Sequence, residues 1–94
     1  MPYLLARLKI EDYAKWKPIF DEHAKDRKEF GGSKGGTLFR NAHDENEFFV
    51  LLELEDLDKG RKFVESDNVK EAMSRAGVTG HDFYFLEEAE KIPG

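Results

Sequence analysis

Phe48-Phe49-Val50-Leu51-Leu52 is a strand-length run with a bulky apolar side chain at every position. Successive side chains of a strand point to opposite faces, so this strand is apolar on both. A strand apolar on one face needs one cover, and a strand apolar on both needs two. The rest of the chain carries helical sequence enough for one cover. The second is expected to be another copy of the same chain, which makes a homodimer the predicted assembly.

Working outward, His43-Asp44-Glu45-Asn46 is a cluster of turn formers and reads as a hairpin connection. It joins a third strand, Glu47 to Glu55, to a second, Lys34 to Ala42, in antiparallel pairing. Gly35-Gly36 loosens the second strand and predicts a bulge or a close backbone approach. Upstream, Tyr3 to Ile10 alternates as a first strand. Leu4, Ala6, Leu8 and Ile10 share one face; Tyr3, Leu5, Arg7 and Lys9 share the other.

Tyr13 to Phe30 has helical period, interrupted by Pro18. Proline is poor inside a helix and good at its first position. A short helical turn is therefore expected over Asp12 to Trp16. The main helix then runs from Pro18 to a left-handed glycine cap at Gly31-Gly32. A second helix is expected over Asp56 to Ala76, with Leu57, Gly60, Phe63 and Val64 on one side. A break is expected near Ser66-Asp67, with a fresh capping box from Asn68 to Glu71. Val69, Ala72, Met73 and Ala76 continue the apolar side. Gly77 and Gly80 bracket a loop, and His81 to Leu86 is the last strand, with Phe83 and Phe85 opposed to Tyr84 and Leu86.

The order βαββαβ is the ferredoxin-like α+β arrangement, a four-stranded antiparallel sheet with two helices on one face. At 94 residues, a single domain spans 1–94. Hydrophobic content of 39% with 13% aromatics suits a packed core rather than disorder. The net charge of −5, with scattered Lys and Arg, argues against nucleic acid or an anionic membrane as partner. The absence of cysteine removes disulfide, thiolate and metal-thiolate chemistry. No secretory leader is recognisable at Met1-Pro2-Tyr3, and no apolar run approaches the ~20 residues that span a bilayer. A cytoplasmic location is the resulting expectation.

On a helical wheel centred on Trp16, Ile19, Phe20 and Phe30 fall within about 60°, and His23 and Arg27 within about 20°. A histidine and an arginine thus occupy the face that should press on the sheet. His23 either lines a ligand cavity as a proton-transfer group or is a core histidine bonded to a backbone carbonyl or an inward-facing Glu. Arg27 either faces the cavity or snorkels to water. Tyr13, Trp16 and Phe20 form the candidate aromatic wall, with Arg40, His81 and Tyr84 as further candidate substrate contacts. The histidines show no metal-ligand spacing, so no metal is expected. Gly31 to Gly36 is no phosphate loop, because it leaves a helix and enters a strand.

The run Asp12-Tyr13-Ala14-Lys15-Trp16-Lys17-Pro18-Ile19-Phe20-Asp21-Glu22-His23 and the segment Phe63-Val64-Glu65-Ser66-Asp67 resemble the dimeric α/β-barrel superfamily, which includes the antibiotic-biosynthesis monooxygenases. The resemblance implies ferredoxin-like subunits dimerised through their sheets, and a pocket between sheet and helices for small hydrophobic or aromatic molecules. It also implies chemistry without a bound cofactor, monooxygenase-like or isomerase-like. The haem-degrading branch carries Asn on the first strand and His on the second helix. This chain has neither, so haem chemistry is not carried over. The alternative is a non-enzymatic dimeric module, ligand-binding or stress-associated, in which the same residues only pack.

Overall fold

A computed structural model describes residues 1–94. Strand β1 (Pro2–Ile10) lies between β3 (Asp44–Leu54) and β4 (Val78–Glu87), and β2 (Ser33–Asn41) flanks β3. All neighbouring strands are antiparallel, in the order β2-β3-β1-β4. β1 and β3 are therefore the two central strands, which is why they carry the strongest apolar alternation. Ala6 pairs with Val50 and Leu8 with Phe48, so their side chains form one buried layer with Leu4, Ile10 and Leu54.

Helices α1 (Tyr13–Glu22), α2 (Ala24–Glu29), α3 (Leu57–Glu65) and α4 (Asp67–Arg75) cover that layer. The expected βαββαβ order holds, with each helix split in two. The molecule measures 35 × 32 × 18 Å. Its thin dimension accommodates one sheet and one layer of helices, each about 10 Å deep. The other sheet face is left bare. Tyr3, Leu5, Phe49 and Leu51 lie there, beside Phe39, Tyr84 and Leu86, which are 51%, 50% and 39% exposed.

The first helix breaks at a different place from the one expected. Pro18 sits inside α1, and the interruption comes at His23. An interior proline removes one hydrogen bond and costs ~3 kcal/mol. Aromatic packing outweighs that cost here. Trp16 is 2% exposed and stacks on Phe20 and Phe48, with centroids 4.7 and 5.7 Å apart. The Asp12 carboxylate caps the start of the helix, accepting the Ala14 N–H at 2.9 Å. The exit after α2 uses the left-handed conformation at Gly32, φ +69°.

The second helix breaks where expected, but the cap is Ser66 rather than Asn68. Ser66 Oγ donates to the Phe63 carbonyl at 2.6 Å and accepts the Val69 N–H at 3.3 Å. One hydroxyl thus ends α3 and starts α4. Asn68 instead reaches the Asp26 carboxylate at 3.4 Å.

Two strand boundaries also differ. β4 starts at Val78 rather than after the expected Gly77–Gly80 loop, because Val78 pairs with Ile10, and a register shift between Lys9 and Ile10 accommodates Thr79 as the extra residue. β3 starts at Asp44, because Asp44 pairs with Asn41, leaving a tight turn of Ala42-His43. The bulge anticipated at Gly35-Gly36 is present as a register shift between Ser33 and Gly36. A Cβ at Gly36 would fall on the Leu51 carbonyl, which is the close backbone approach.

Candidate functional site

The break at His23 builds the site. A helix end leaves its last four carbonyls without intrahelical partners. The backbone N–H of His23 turns to the Phe20 carbonyl at 3.2 Å, and its side chain serves the carbonyl of Ile19. Nδ1 of His23 lies 2.9 Å from that oxygen. A carbonyl only accepts, so Nδ1 carries the proton, and in the neutral ring Nε2 is the free lone pair.

Helix α2 restarts on the His23 carbonyl, which accepts the Arg27 N–H at 2.9 Å, one turn away. Arg27 then folds back over α1. Its Nη1 donates to the Phe20 carbonyl at 2.6 Å, and its guanidinium carbon stands 3.8 Å from the centroid of the Phe20 ring. Two basic side chains thereby close one helix terminus, where positive charge is favoured. Burial pushes the Arg27 pKa down from its ordinary value, and the carboxylate of Asp21 opposes that shift. An arginine remains a cation under such conditions.

Between these helices and the sheet lies a cavity of about 110 Å³. Seventeen residues line it and fifteen are hydrophobic; the two exceptions are His23 and Arg27. Helix α1 contributes Trp16, Ile19 and Phe20, while α3 and α4 contribute Phe63, Val69 and Met73 among others. The arrangement puts one histidine and one arginine on the wall of an otherwise apolar chamber.

Of the candidate residues, Trp16, Phe20, His23 and Arg27 come together around the cavity. Tyr13 stacks on Phe48 at 5.0 Å and stays 40% exposed, outside the lining. Arg40 pairs with Phe48 from the edge strand, is exposed, and does not reach the cavity. The cross-strand ion pair that Arg40 and Glu53 would make if they opposed each other in the hairpin does not form, because Glu53 lies on the other face of the sheet beside Tyr3. His81 is exposed with its ring 5.1 Å from Phe83. Tyr84 lies on the bare face of the sheet, because strand alternation gives the cavity position to Phe83. Phe30, expected on the same helix face, is 64% exposed, since the break at His23 ends the continuous wheel.

Phe83, Ile19 and the α3–α4 residues were not assigned to a site in the sequence reading. Their apolar period was visible, but a cavity is a gap in packing, and periodicity carries no signal for one. No group of three or more His, Cys, Asp or Glu gathers anywhere in the chain with metal-binding geometry. No helix is long and apolar enough to cross a membrane.

No protein-family model and no curated protein matches the chain. Solved structures do. SnoaB from Streptomyces nogalater, a cofactor-independent oxygenase, superposes with a TM-score of 0.77 at 14% identity, over 99% of this chain and 97% of that one. A candidate antibiotic biosynthesis monooxygenase from Caulobacter crescentus aligns at TM-score 0.73 and 21% identity, covering 95% and 90% of the two chains. One from Bordetella bronchiseptica aligns at 0.77 and 12%, covering 95% and 97%. At such identities the likeness establishes the fold. The chain has the ferredoxin-like architecture of antibiotic biosynthesis monooxygenase proteins.

Proposed function

We propose that the chain is the subunit of a homodimeric, cofactor-independent enzyme that removes a proton from a small hydrophobic or aromatic molecule. The observation that carries the reading is the cavity, whose only two polar lining residues are His23 and Arg27. Nε2 of His23 takes the proton from an activated C–H or a phenol, and the Arg27 cation stabilises the resulting enolate or phenolate. An isomerase-like enzyme returns that proton to a different carbon. A monooxygenase-like enzyme lets the carbanion reduce dioxygen, so that an activated CH₂ and O₂ give C=O and water. The fold of SnoaB, a cofactor-independent oxygenase, supports the second route by analogy of architecture. The cavity volume, about 110 Å³, is close to that of the ~150 Å³ apolar void known to accept benzene. A single ring is the unit it suits.

The homodimer is supported by the bare sheet face. Phe39, Phe49, Leu51, Tyr84 and Leu86 lie on it. A contiguous apolar patch of this kind marks an interaction surface, and two-fold pairing of sheets removes it from water.

A non-enzymatic ligand-binding module is the second reading. It is favoured by one feature: His23 and Arg27 each already cap a carbonyl of α1. Deuterium exchange separates the two. Small aryl ketones such as 2-indanone are incubated with the protein in D₂O, and α-deuteration is followed by NMR, with oxygen uptake measured in parallel. Exchange above the buffer rate that disappears in His23→Asn supports the enzyme. Saturable binding with exchange no faster than buffer leaves only the module.

A further inference from the structure

Beside the cavity runs a second, larger depression of about 540 Å³, between α1, α2 and the start of β2. Phe20, Arg27, Val50 and Leu52 belong to both, so the two spaces share a wall. Their characters differ. The groove holds four cations, Lys17, Arg27, Lys28 and Lys34, and no carboxylate. That concentration occurs in a protein of net charge −5.

The cations are not equally committed. Lys17 is held by the Asp21 carboxylate at 2.7 Å. Lys28 and Lys34 take part in no ion pair. Arg27 spends one Nη1 hydrogen on the Phe20 carbonyl, and the rest of its guanidinium N–H groups make no hydrogen bond or ion pair with another side chain. The groove stays open at the strand edge, where the space beside Gly35 is empty.

We infer that the site takes an anionic amphiphile: a ring in the apolar cavity, joined by a short tether to a carboxylate held in the groove by Arg27, Lys28 and Lys34. This rests on the reading that the cavity holds the apolar part of the ligand. Arg27 is the pivot, since it bounds both spaces and is half-buried where Lys28 and Lys34 are exposed. The two lysines stand at the solvent side and select for charge. Charge-assisted hydrogen bonds are about twice as strong as neutral ones, so the head group is a source of discrimination and not only of affinity. The same field excludes cationic molecules of equal size.

The test compares 4-phenylbutyrate with 4-phenylbutanol, which share ring and tether and differ in charge. Isothermal titration or ligand-observed NMR on the whole chain gives both affinities. The acid is expected to bind about tenfold more tightly than the alcohol at low salt, a margin of the size charged hydrogen bonds supply. The margin should shrink to about twofold at high salt, where exposed charges are screened. Lys28→Gln combined with Lys34→Gln should cut it to about threefold, the share left to Arg27, with little change for the alcohol; both residues are exposed, so folding is not at risk. Equal affinity of acid and alcohol overturns the anion site and leaves the apolar cavity standing. So does a margin that the double substitution leaves at its full size. Failure of both ligands to bind overturns the cavity reading together with the groove.

Discussion

Nδ1 of His23 donates to the carbonyl of Ile19 at 2.9 Å, so the ring that faces the cavity also closes the helix that positions it. The two roles use different nitrogens and can be separated by substitution. Asparagine places an amide N–H near the position of Nδ1 but offers no base at Nε2. His23→Asn is expected to keep the thermal midpoint close to wild type and to lose proton exchange. His23→Leu removes the cap as well and leaves a carbonyl unpaired, costing about 1 kcal/mol. For a chain of this size that is a fall of about 4–8 °C in Tm. Calorimetry and the exchange assay on the two variants check this. Equal exchange in His23→Asn and wild type would remove His23 from the chemistry.

Arg27 has a comparable double engagement, with the Phe20 carbonyl at 2.6 Å and the Phe20 ring at 3.8 Å. A planar guanidinium satisfies both contacts at once; a lysine ammonium does not. Arg27→Lys is expected to lower stability by about 1–2 kcal/mol, the sum of a carbonyl hydrogen bond and a partly desolvated cation–π contact. Denaturant unfolding measures it. A loss no greater than in Lys25→Ala, a substitution of an exposed neighbour, would show that Arg27 closes nothing.

The two glycines of β2 make a contrasting pair. Gly36 packs on the Leu51 backbone, and a methyl group there has no room. Gly35 has open space but φ +97°. Gly36→Ala should destabilise by the ~1–3 kcal/mol typical of overpacking and disturb the β2–β3 register. Gly35→Ala should cost ~1–2 kcal/mol through backbone strain alone and leave the register intact. Amide exchange across β2 distinguishes a register change from uniform destabilisation.

These positions show what was legible in the chain before its structure. Phe48 to Leu52 announced a strand with two apolar faces, and alternation separated the two faces of β1 and β3; which of them meets the helices is decided by the packing, which buries Leu4, Ala6, Leu8, Phe48 and Val50. Gly35-Gly36 announced the bulge. Pro18 misled, because a local rule about proline was overruled by Trp16 stacking across to Phe48, a contact between residues far apart in sequence. The site was half legible. The wheel joined Trp16, Phe20, His23 and Arg27, since one helix face is a local property. Tyr84 falls on the open face because strand register decides which face a residue shares, and register is set by pairing with another segment; Arg40 shares the face of Phe48 but lies on the edge strand, outside the cavity lining. The cationic groove left no mark in the sequence, because Lys28 and Lys34 come to line one depression only when α2 packs along β2.

The bare sheet face predicts a dimer in solution. Size exclusion with light scattering should give twice the chain mass of 10.9 kDa at micromolar concentration. Leu51 sits centrally on that face, opposite Leu5 and Thr37. Leu51→Lys introduces two charges at a two-fold interface and should give a monomer with unchanged far-ultraviolet dichroism. A wild-type monomer with the same dichroism would show that the open face needs no second copy.

Acid should weaken the fold through Glu47. Its carboxylate accepts Asn41 Nδ2 at 2.8 Å and Arg7 Nε at 2.9 Å, and Arg7 reaches Asp82 through Nη1 at 3.0 Å. The hydrogen bond from Asn41, with the charge and hydrogen bond of Arg7 behind it, holds Glu47 below the ordinary carboxylate range. A depressed carboxylate pKa means that the unfolded chain takes up the proton first as pH falls. The stabilisation is therefore fully present above the unfolded value, about 4.3 for glutamate. It is lost as pH drops through the lower folded value. Asp44, held down by the Lys9 ammonium, adds a step of the same sign. Glu47→Gln cannot titrate, so its unfolding free energy should fall less steeply than wild type between about pH 5 and pH 3. Urea unfolding across that window reads the slope directly. Identical slopes in the two proteins would mean that the Arg7–Glu47–Asn41 cluster contributes nothing that protonation can remove.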